Sequence, residues 1–164
     1  MNKSELLKIS LMKFYSKPKN LEALANVLLK KTKYSLTLCE WLCINYSKKY
    51  NINYKLAKNK HFNIYLSYKE QLASYQKKQF DLFKRKHSGY DVFDIQYGDL
   101  LLETTVGQLN FFKWAISNKI LDYLEENLES IKIDMETSKC NIKEKNPRLT
   151  IKSSNSEDTV VSFN

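Results

Sequence analysis

The sequence predicts a mainly α protein: a compact multi-helix domain over residues 1–136, one short strand or hairpin around 90–98, and a flexible polar tail over 137–164. Three observations predict it. Apolar residues are 43% and aromatics 13% of the 164, enough to furnish a core. Only three glycines and two prolines punctuate the chain, which favours long regular elements over a loop-rich sandwich. Large apolar side chains also recur at helical spacing through most of the first 136 positions.

Ser4 reads as the cap of ELLKISLMKFY, with Leu7, Leu11 and Phe14 near one stripe. Lys17-Pro18 ends that helix, because a residue before proline avoids the α region. Asn20 then caps LEALANVLLKK, whose lysine-rich end suits a helix C-terminus. Ser35 caps LTLCEWLCINYSKKY, with Leu38, Cys39, Leu42, Cys43, Tyr46 and Tyr50 forming its apolar face. KNKHFN (58–63) interrupts the pattern. The next stretch, IYLSYKEQLASYQKKQFDLFKRK, reads as one long amphipathic helix, with Tyr65, Tyr68, Leu72, Tyr75, Phe80 and Phe83 near one side.

GYDVFDIQYGD (89–99) combines two glycines with β-favouring residues, hence the loop or short strand. Thr105 and Gln108 form a capping-box pattern that starts a helix at Val106. The aromatics of GQLNFFKWAI (107–116) read as core. The alternative is an exposed partner-binding patch centred on Phe111 and Trp114. Ser117-Asn118 permits a break, after which Leu121, Leu124, Leu128, Ile131 and Met135 continue a helical repeat. Beyond Thr137, Asn146-Pro147 and KSSNSEDT mark the tail, with LTIK or TVVSF as alternative terminal strands.

The formal net charge of +9 is unevenly spread. Residues 1–90 hold 19 basic and 5 acidic groups, residues 91–136 hold 3 and 10, and residues 137–164 hold 5 and 3. Either the acidic stretch folds back onto the basic one, or a basic face stays open to a polyanion. Lysine outnumbers arginine 25 to 2, part of a Lys, Asn, Ile and Tyr bias that an AT-rich genome would impose. Lysine is a hydrated point charge rather than a planar fork, so it suits phosphate more than base reading.

The candidate nucleic-acid contacts fall in three clusters: Lys30, Lys31 and Lys33; Lys48 and Lys49, continued by Lys55, Lys58 and Lys60; and Lys77, Lys78, Lys84, Arg85 and Lys86. Tyr65, Tyr68 and Tyr75 would stack on bases if exposed, though their helical spacing reads as core. No helix-turn-helix, zinc-finger or RNP signature is present, so binding without base order is the expectation.

No enzyme is expected. His61 and His87 are the only histidines, and His87 lies in the charged run KRKHS. No nucleophile–base–orienter set and no phosphate-binding glycine loop can be assembled, so no catalytic residues and no cofactor are assigned. Glu125, Glu126, Glu129, Asp134 and Glu136 make one acidic helix end, not a two-metal cleft. Cys39 and Cys43 share a helical face and read as packed thiols. Zinc would need two further ligands, with only His61, His87 and Cys140 to offer, so no metal is assigned. An odd cysteine count and no secretory leader favour a reducing compartment with free thiols. No run of 18 apolar residues suggests membrane insertion.

The stretches FNIYLSYKEQLASYQKKQFDLFKRK and TTVGQLNFFKWAISNKILDYLEENLESIKIDM resemble small proteins of nucleocytoplasmic large DNA viruses, of the mimivirus type. The resemblance covers residues 35–136, including Trp41 and Asn45 to Lys49. The family carries no assigned activity, so the resemblance implies no catalytic or ligand residues. It implies a setting, the viral factory in host cytoplasm or the virion, and partners there: DNA or RNA, or viral structural proteins. Two readings follow. One is a non-enzymatic basic protein that binds or packages nucleic acid without sequence preference. The other is a structural or interaction protein that self-associates through complementary basic and acidic faces.

Overall fold

A computed structural model describes the backbone of residues 1–85 and 89–145, with side chains to residue 141. By internal contacts the chain divides into two units, residues 1–128 and 129–164. The first holds the helices α1 (Lys3–Tyr15), α2 (Pro18–Leu28), α3 (Leu36–Trp41), α4 (Ser47–Lys49), α5 (Ile64–Ser74), α6 (Val106–Ser117) and α7 (Ile120–Glu126). It also holds two antiparallel hairpins: β1 (Asn53–Leu56) with β2 (Lys60–Asn63), and β3 (Val92–Tyr97) with β4 (Leu100–Thr105). The described part of the second unit is helical, in α8 (Leu128–Lys145). The protein is therefore mainly α, with more strand than the single hairpin the sequence suggests.

Helix α6 is the centre of the first unit. The Thr105 hydroxyl accepts from the Gln108 backbone N–H at 3.1 Å, so the capping residue is the expected one. The helix is buried nearly all round, with Leu109, Phe111, Phe112, Trp114 and Ala115 in the core and Gln108 and Asn110 buried beside them. This corrects the partner-patch alternative. Phe111 is 1% and Trp114 6% exposed, so neither ring can meet a partner from the surface. The indole N–H of Trp114 donates to the Ser67 hydroxyl at 2.9 Å, which meets the polar demand of a buried tryptophan.

Helices α1 and α2 pack on α6. The Tyr15 hydroxyl donates to the Leu109 carbonyl at 2.6 Å, and Lys113 Nζ to the Ser10 hydroxyl at 2.6 Å. The caps at this end differ from the sequence reading. Asn2, not Ser4, caps α1 by accepting from the Glu5 N–H at 2.9 Å. Helix α2 starts two residues before Asn20, with Pro18 at its first turn, where its missing N–H costs nothing. The Asn20 amide instead donates to the Phe14 carbonyl.

Ser35 caps α3 as expected, through the Leu38 N–H. Between α3 and α4 the backbone widens into a π-helical segment, Leu42–Tyr46. Leu38, Cys39, Leu42, Cys43 and Ser47 are buried along this run. The Ser47 hydroxyl donates to the Cys43 carbonyl at 2.7 Å.

The long helix expected over 64–86 stops at Ser74. Tyr75 is extended, a single 3-10 turn covers Lys77–Gln79, and Phe80 turns into the core. Groups on α6 replace the hydrogen bonds a longer helix would have made. The Gly107 carbonyl accepts from the Asp81 N–H, and the amides of Asn110 and Gln108 donate to the carbonyls of Gln79 and Leu82. The ring of Phe80 then packs against Phe111 and Trp114, with centroids 5.3 and 5.6 Å away. Burial of a large ring and satisfied backbone groups outweigh the good helix propensity of QKKQ, which is worth only tenths of a kcal/mol per residue.

Close approach at Gly107 follows from the same packing. A methyl group there would lie 2.8 Å from the Lys78 carbonyl oxygen, a backbone atom that cannot step aside. Gly107→Ala is expected to destabilise the fold by about 1–3 kcal/mol through overpacking. Urea unfolding of the variant beside the wild type checks this.

The hairpin β1–β2 (53–63) includes the stretch KNKHFN, which reads only as an interruption of the helical pattern. Its connection carries Lys58 and Asn59 at φ 61° and 57°, the left-handed region. At the other hairpin the turn sits at Gly98, φ 58°, and the pairing runs to Thr105. Residues 137–145 are helical within α8, where the tail was expected. The remainder of that tail, 146–164, lies outside the described residues, as do the alternative strands LTIK and TVVSF.

Candidate nucleic-acid interface

The three lysine clusters have different fates. The third is partly paired, with Arg85 and Lys77 gathered at Asp81, a carboxylate with 1% exposure. Arg85 Nε donates to its Oδ2 at 2.6 Å, and Tyr90 OH to the same oxygen at 3.2 Å. Its Oδ1 accepts from the Phe83 N–H at 3.1 Å, and Lys77 Nζ stands 3.7 Å away. Asp81 raises the pKa of Arg85 first by this hydrogen bond and then by its charge, so the guanidinium is held in place. Lys84 donates to Glu103 at 2.8 Å. Lys78 is exposed, and Lys86 and His87 lie outside the described residues. A run that reads as a solvated basic face is thus partly a structural ion-pair cluster. Neither sequence spacing nor charge counting locates its anchor.

The first cluster sits on the turn after α2. Lys30 adopts φ 59°, and the Lys31 N–H donates back to the Asn26 carbonyl at 2.8 Å, closing the helix end. Lys30, Lys31 and Lys33 are exposed. Lys30 and Lys33 meet Lys84 of the third cluster at a cleft of about 630 Å³. Positions more than 50 residues apart in sequence therefore share one site.

The second cluster gains a scaffold that the sequence reading lacked. Between Glu40 and Glu70 there is no acidic residue and there are six lysines. Strands β1 and β2 pair Tyr54 with Phe62 and Lys55 with His61. The inner face is anchored: Tyr54 packs on Phe62 and stacks on Tyr123, centroids 5.6 and 5.7 Å apart, and its hydroxyl donates to the Asn118 carbonyl at 2.6 Å. Phe62 meets Trp114. The outer face presents Lys55 and His61, and the tip presents Lys58 and Lys60, all exposed. Among the described residues Lys55, Lys58 and Lys60 form no ion pair. Nearby, Lys48 and Lys49 are exposed on α4, with their ammonium groups 5.5 and 5.2 Å from the ring centroids of Tyr65 and Tyr50. The alternation of Tyr54, Leu56 and Phe62 with Lys55 and His61 was the period-two signal available in the sequence.

Of the tyrosines considered for base stacking, Tyr68 is buried and its pKa is pushed up by burial to about 12. Tyr65 and Tyr75 are half-buried, and Tyr75 stacks on Phe80 with Lys3 over its ring. Tyr68 is a core residue.

The acidic residues of α7 do not cover these lysines. Asp122, Glu125 and Glu126 line a separate cleft of about 530 Å³ with Tyr54, Lys119 and Tyr123. Among the described residues they form no ion pair. Burial raises the pKa of Tyr54 and Tyr123 above the ordinary phenol value.

Cys39 and Cys43 are fully buried, and Cys140 is exposed. A hydrogen bond to Cys39, then burial, raises the Cys43 thiol well above its usual range. The Cys43 thiol so placed resists ionisation, whereas metal ligation needs thiolate. Among the described residues no three His, Cys, Asp or Glu side chains converge as metal ligands would. No described helix is long and apolar enough to cross a membrane.

The model of a family of unknown function, DUF7197, matches residues 1–162. The chain belongs to this family. It is also 41% identical over 134 residues to uncharacterized protein L507 of Acanthamoeba polyphaga mimivirus. That match covers 78% of this chain and 52% of the relative, so the chain spans about half the length of the viral protein it matches. The resemblance to giant-virus proteins is thereby shown by alignment as well as by phrasing. No solved structure matches the chain.

Proposed function

We propose that the protein is a non-enzymatic binder of nucleic acid that grips the phosphate backbone without reading base order. One observation carries the reading: a rigidly anchored hairpin displays Lys55, Lys58 and Lys60 with no acidic residue between positions 41 and 69. Lysines in such an array neutralise phosphates and release counterions, and a two-stranded ribbon is narrow enough for a major groove. Lys30, Lys31, Lys33, Lys48 and Lys49 extend the positive surface. By the giant-virus resemblance, we place this binding in the viral factory of the host cytoplasm or in the virion.

The test is duplex binding by fluorescence anisotropy, using two unrelated sequences at about 50 and 200 mM salt. Affinity should fall steeply with salt and be alike for both sequences. A triple variant, Lys55→Ala, Lys58→Asn and Lys60→Ala, should lower the salt slope by about 3 while leaving the thermal midpoint in place. Asparagine is chosen at 58 because it tolerates the left-handed backbone there. Absence of binding at the lower salt, or a variant that binds like wild type, rejects the reading.

A second reading has its own observation. The α7 cleft offers Asp122, Glu125 and Glu126 without ion-pair partners among the described residues. Such a cleft suits the lysines of a second copy or of a viral structural protein. It predicts an oligomer that dissociates in salt and carries no nucleic acid, which light scattering before and after nuclease treatment distinguishes.

A further inference from the structure

The cleft shared by the first and third lysine clusters has a composition that duplex binding does not use. Val27, Leu28, Leu36 and Phe83 give it an apolar lining, to which Lys30 and Lys33 add ammonium groups from the turn after α2. The lysines are held by ordered backbone. Thr32 Oγ1 donates to the Tyr34 carbonyl at 3.0 Å, and the Ser35 hydroxyl is occupied in capping α3. Lys84 is balanced by Glu103, so Lys30 and Lys33 supply the net positive charge. Gln108 also lines the cleft at 2% exposure. Its Oε1 accepts from Thr104 at 2.8 Å and its Nε2 donates to Leu82 at 2.9 Å, which fixes the amide and leaves its second N–H unassigned. Phe83 contributes a ring half-open to solvent, positioned with the Arg85 guanidinium 5.4 Å from its centroid.

An inorganic anion would satisfy the two ammonium groups and leave the apolar wall wet. A plain hydrocarbon would do the reverse. A ligand with a flat, weakly polar body and a phosphate at one end satisfies both, and a cleft of this volume lies within the roughly 300–1,000 Å³ range of small-ligand sites. We propose that the cleft binds one nucleotide unit, its phosphate at Lys30 and Lys33 and its base against Phe83 and Leu36. Base-on-ring contact is tolerant of base identity, so purines and pyrimidines should both enter. A free nucleotide and the phosphorylated end of a single strand present this same chemistry. The site shares no lining residue with the hairpin, and although Lys30 and Lys33 also extend the surface proposed for duplex, nucleotide binding here does not require that reading.

Calorimetry on the full chain tests it with five probes: AMP, CMP, inorganic phosphate, laurate and a 5′-phosphorylated oligothymidylate. Both nucleotides should bind with a Kd on the order of 100 µM and at least about tenfold more tightly than phosphate or laurate. Lys33→Glu, at an exposed position, should weaken AMP about tenfold, and Phe83→Ala about fivefold, with thermal unfolding reporting that each variant is folded. Tighter binding of the oligothymidylate than of CMP assigns the site to strand ends, and equal binding assigns it to free nucleotides. No nucleotide binding, phosphate or laurate binding as well as AMP, or folded variants that bind like wild type would overturn the proposal. The triple hairpin variant separates the two ideas, because it should lose duplex affinity and keep AMP affinity.

Discussion

Phe80→Ala is expected to cost about 3–5 kcal/mol of unfolding free energy, the range for emptying a buried aromatic site. The ring is 1% exposed and meets Tyr68, Tyr75, Phe111 and Trp114. The hydrogen bonds of Asn110 and Gln108 to the chain on either side of Phe80 oppose collapse into the space. Against a typical total of about 5–15 kcal/mol, the loss would leave a marginal or unfolded protein. Denaturant titration followed by tryptophan fluorescence is a suitable measurement, since Trp114 lies 5.6 Å from the deleted ring. A shift under about 1 kcal/mol would mean that the aromatic cluster is not the cohesive centre described above.

Asp81→Ala comes second, with an expected loss of about 3 kcal/mol. The carboxylate is buried and gathers Arg85, Tyr90, Lys77 and the Phe83 N–H, so its removal strands several donors at once. Lys77→Ala should change stability by less than about 1 kcal/mol, because that ammonium is half-exposed and 3.7 Å from its partner. The comparison of the two, by the same denaturant titration, separates a buried anchor from a surface pair. The Asp81 variant should also disturb the cleft at Phe83, whose backbone the carboxylate holds, and so weaken AMP binding without affecting the hairpin.

The helices that the sequence revealed were those whose signals are local. Ser35 and Thr105 act as caps by bonding N–H groups three residues on, a relation fixed by covalent distance. The core assignment of GQLNFFKWAI also followed locally, since so many large apolar groups in ten residues must find burial. What remained hidden was tertiary. Nothing near Phe80 in the sequence announces that amides 30 residues away will take over its backbone hydrogen bonds and end α5 at Ser74. The same reason hid the ion pairs of the third lysine cluster, because charge counting cannot know that Asp81 is buried beside Arg85. The β1–β2 hairpin was partly legible. Its alternation is short, and a lysine and an asparagine occupy the left-handed turn positions where glycine would have advertised a hairpin. The candidate site was accordingly read in its residue types but not in its grouping. Lys30, Lys33 and Lys84 converge only in three dimensions.

The wide turn at Leu42–Tyr46 leads directly into the short helix that carries Lys48 and Lys49. One peptide unit in excess of the α repeat advances the helix screw by about 100° without adding a full turn. The azimuth of Lys48 and Lys49 on their helix therefore depends on this surplus residue. Relatives in which that surplus has been excised would carry the same lysines pointing elsewhere. Family comparisons should align this stretch by geometry before equating its charges.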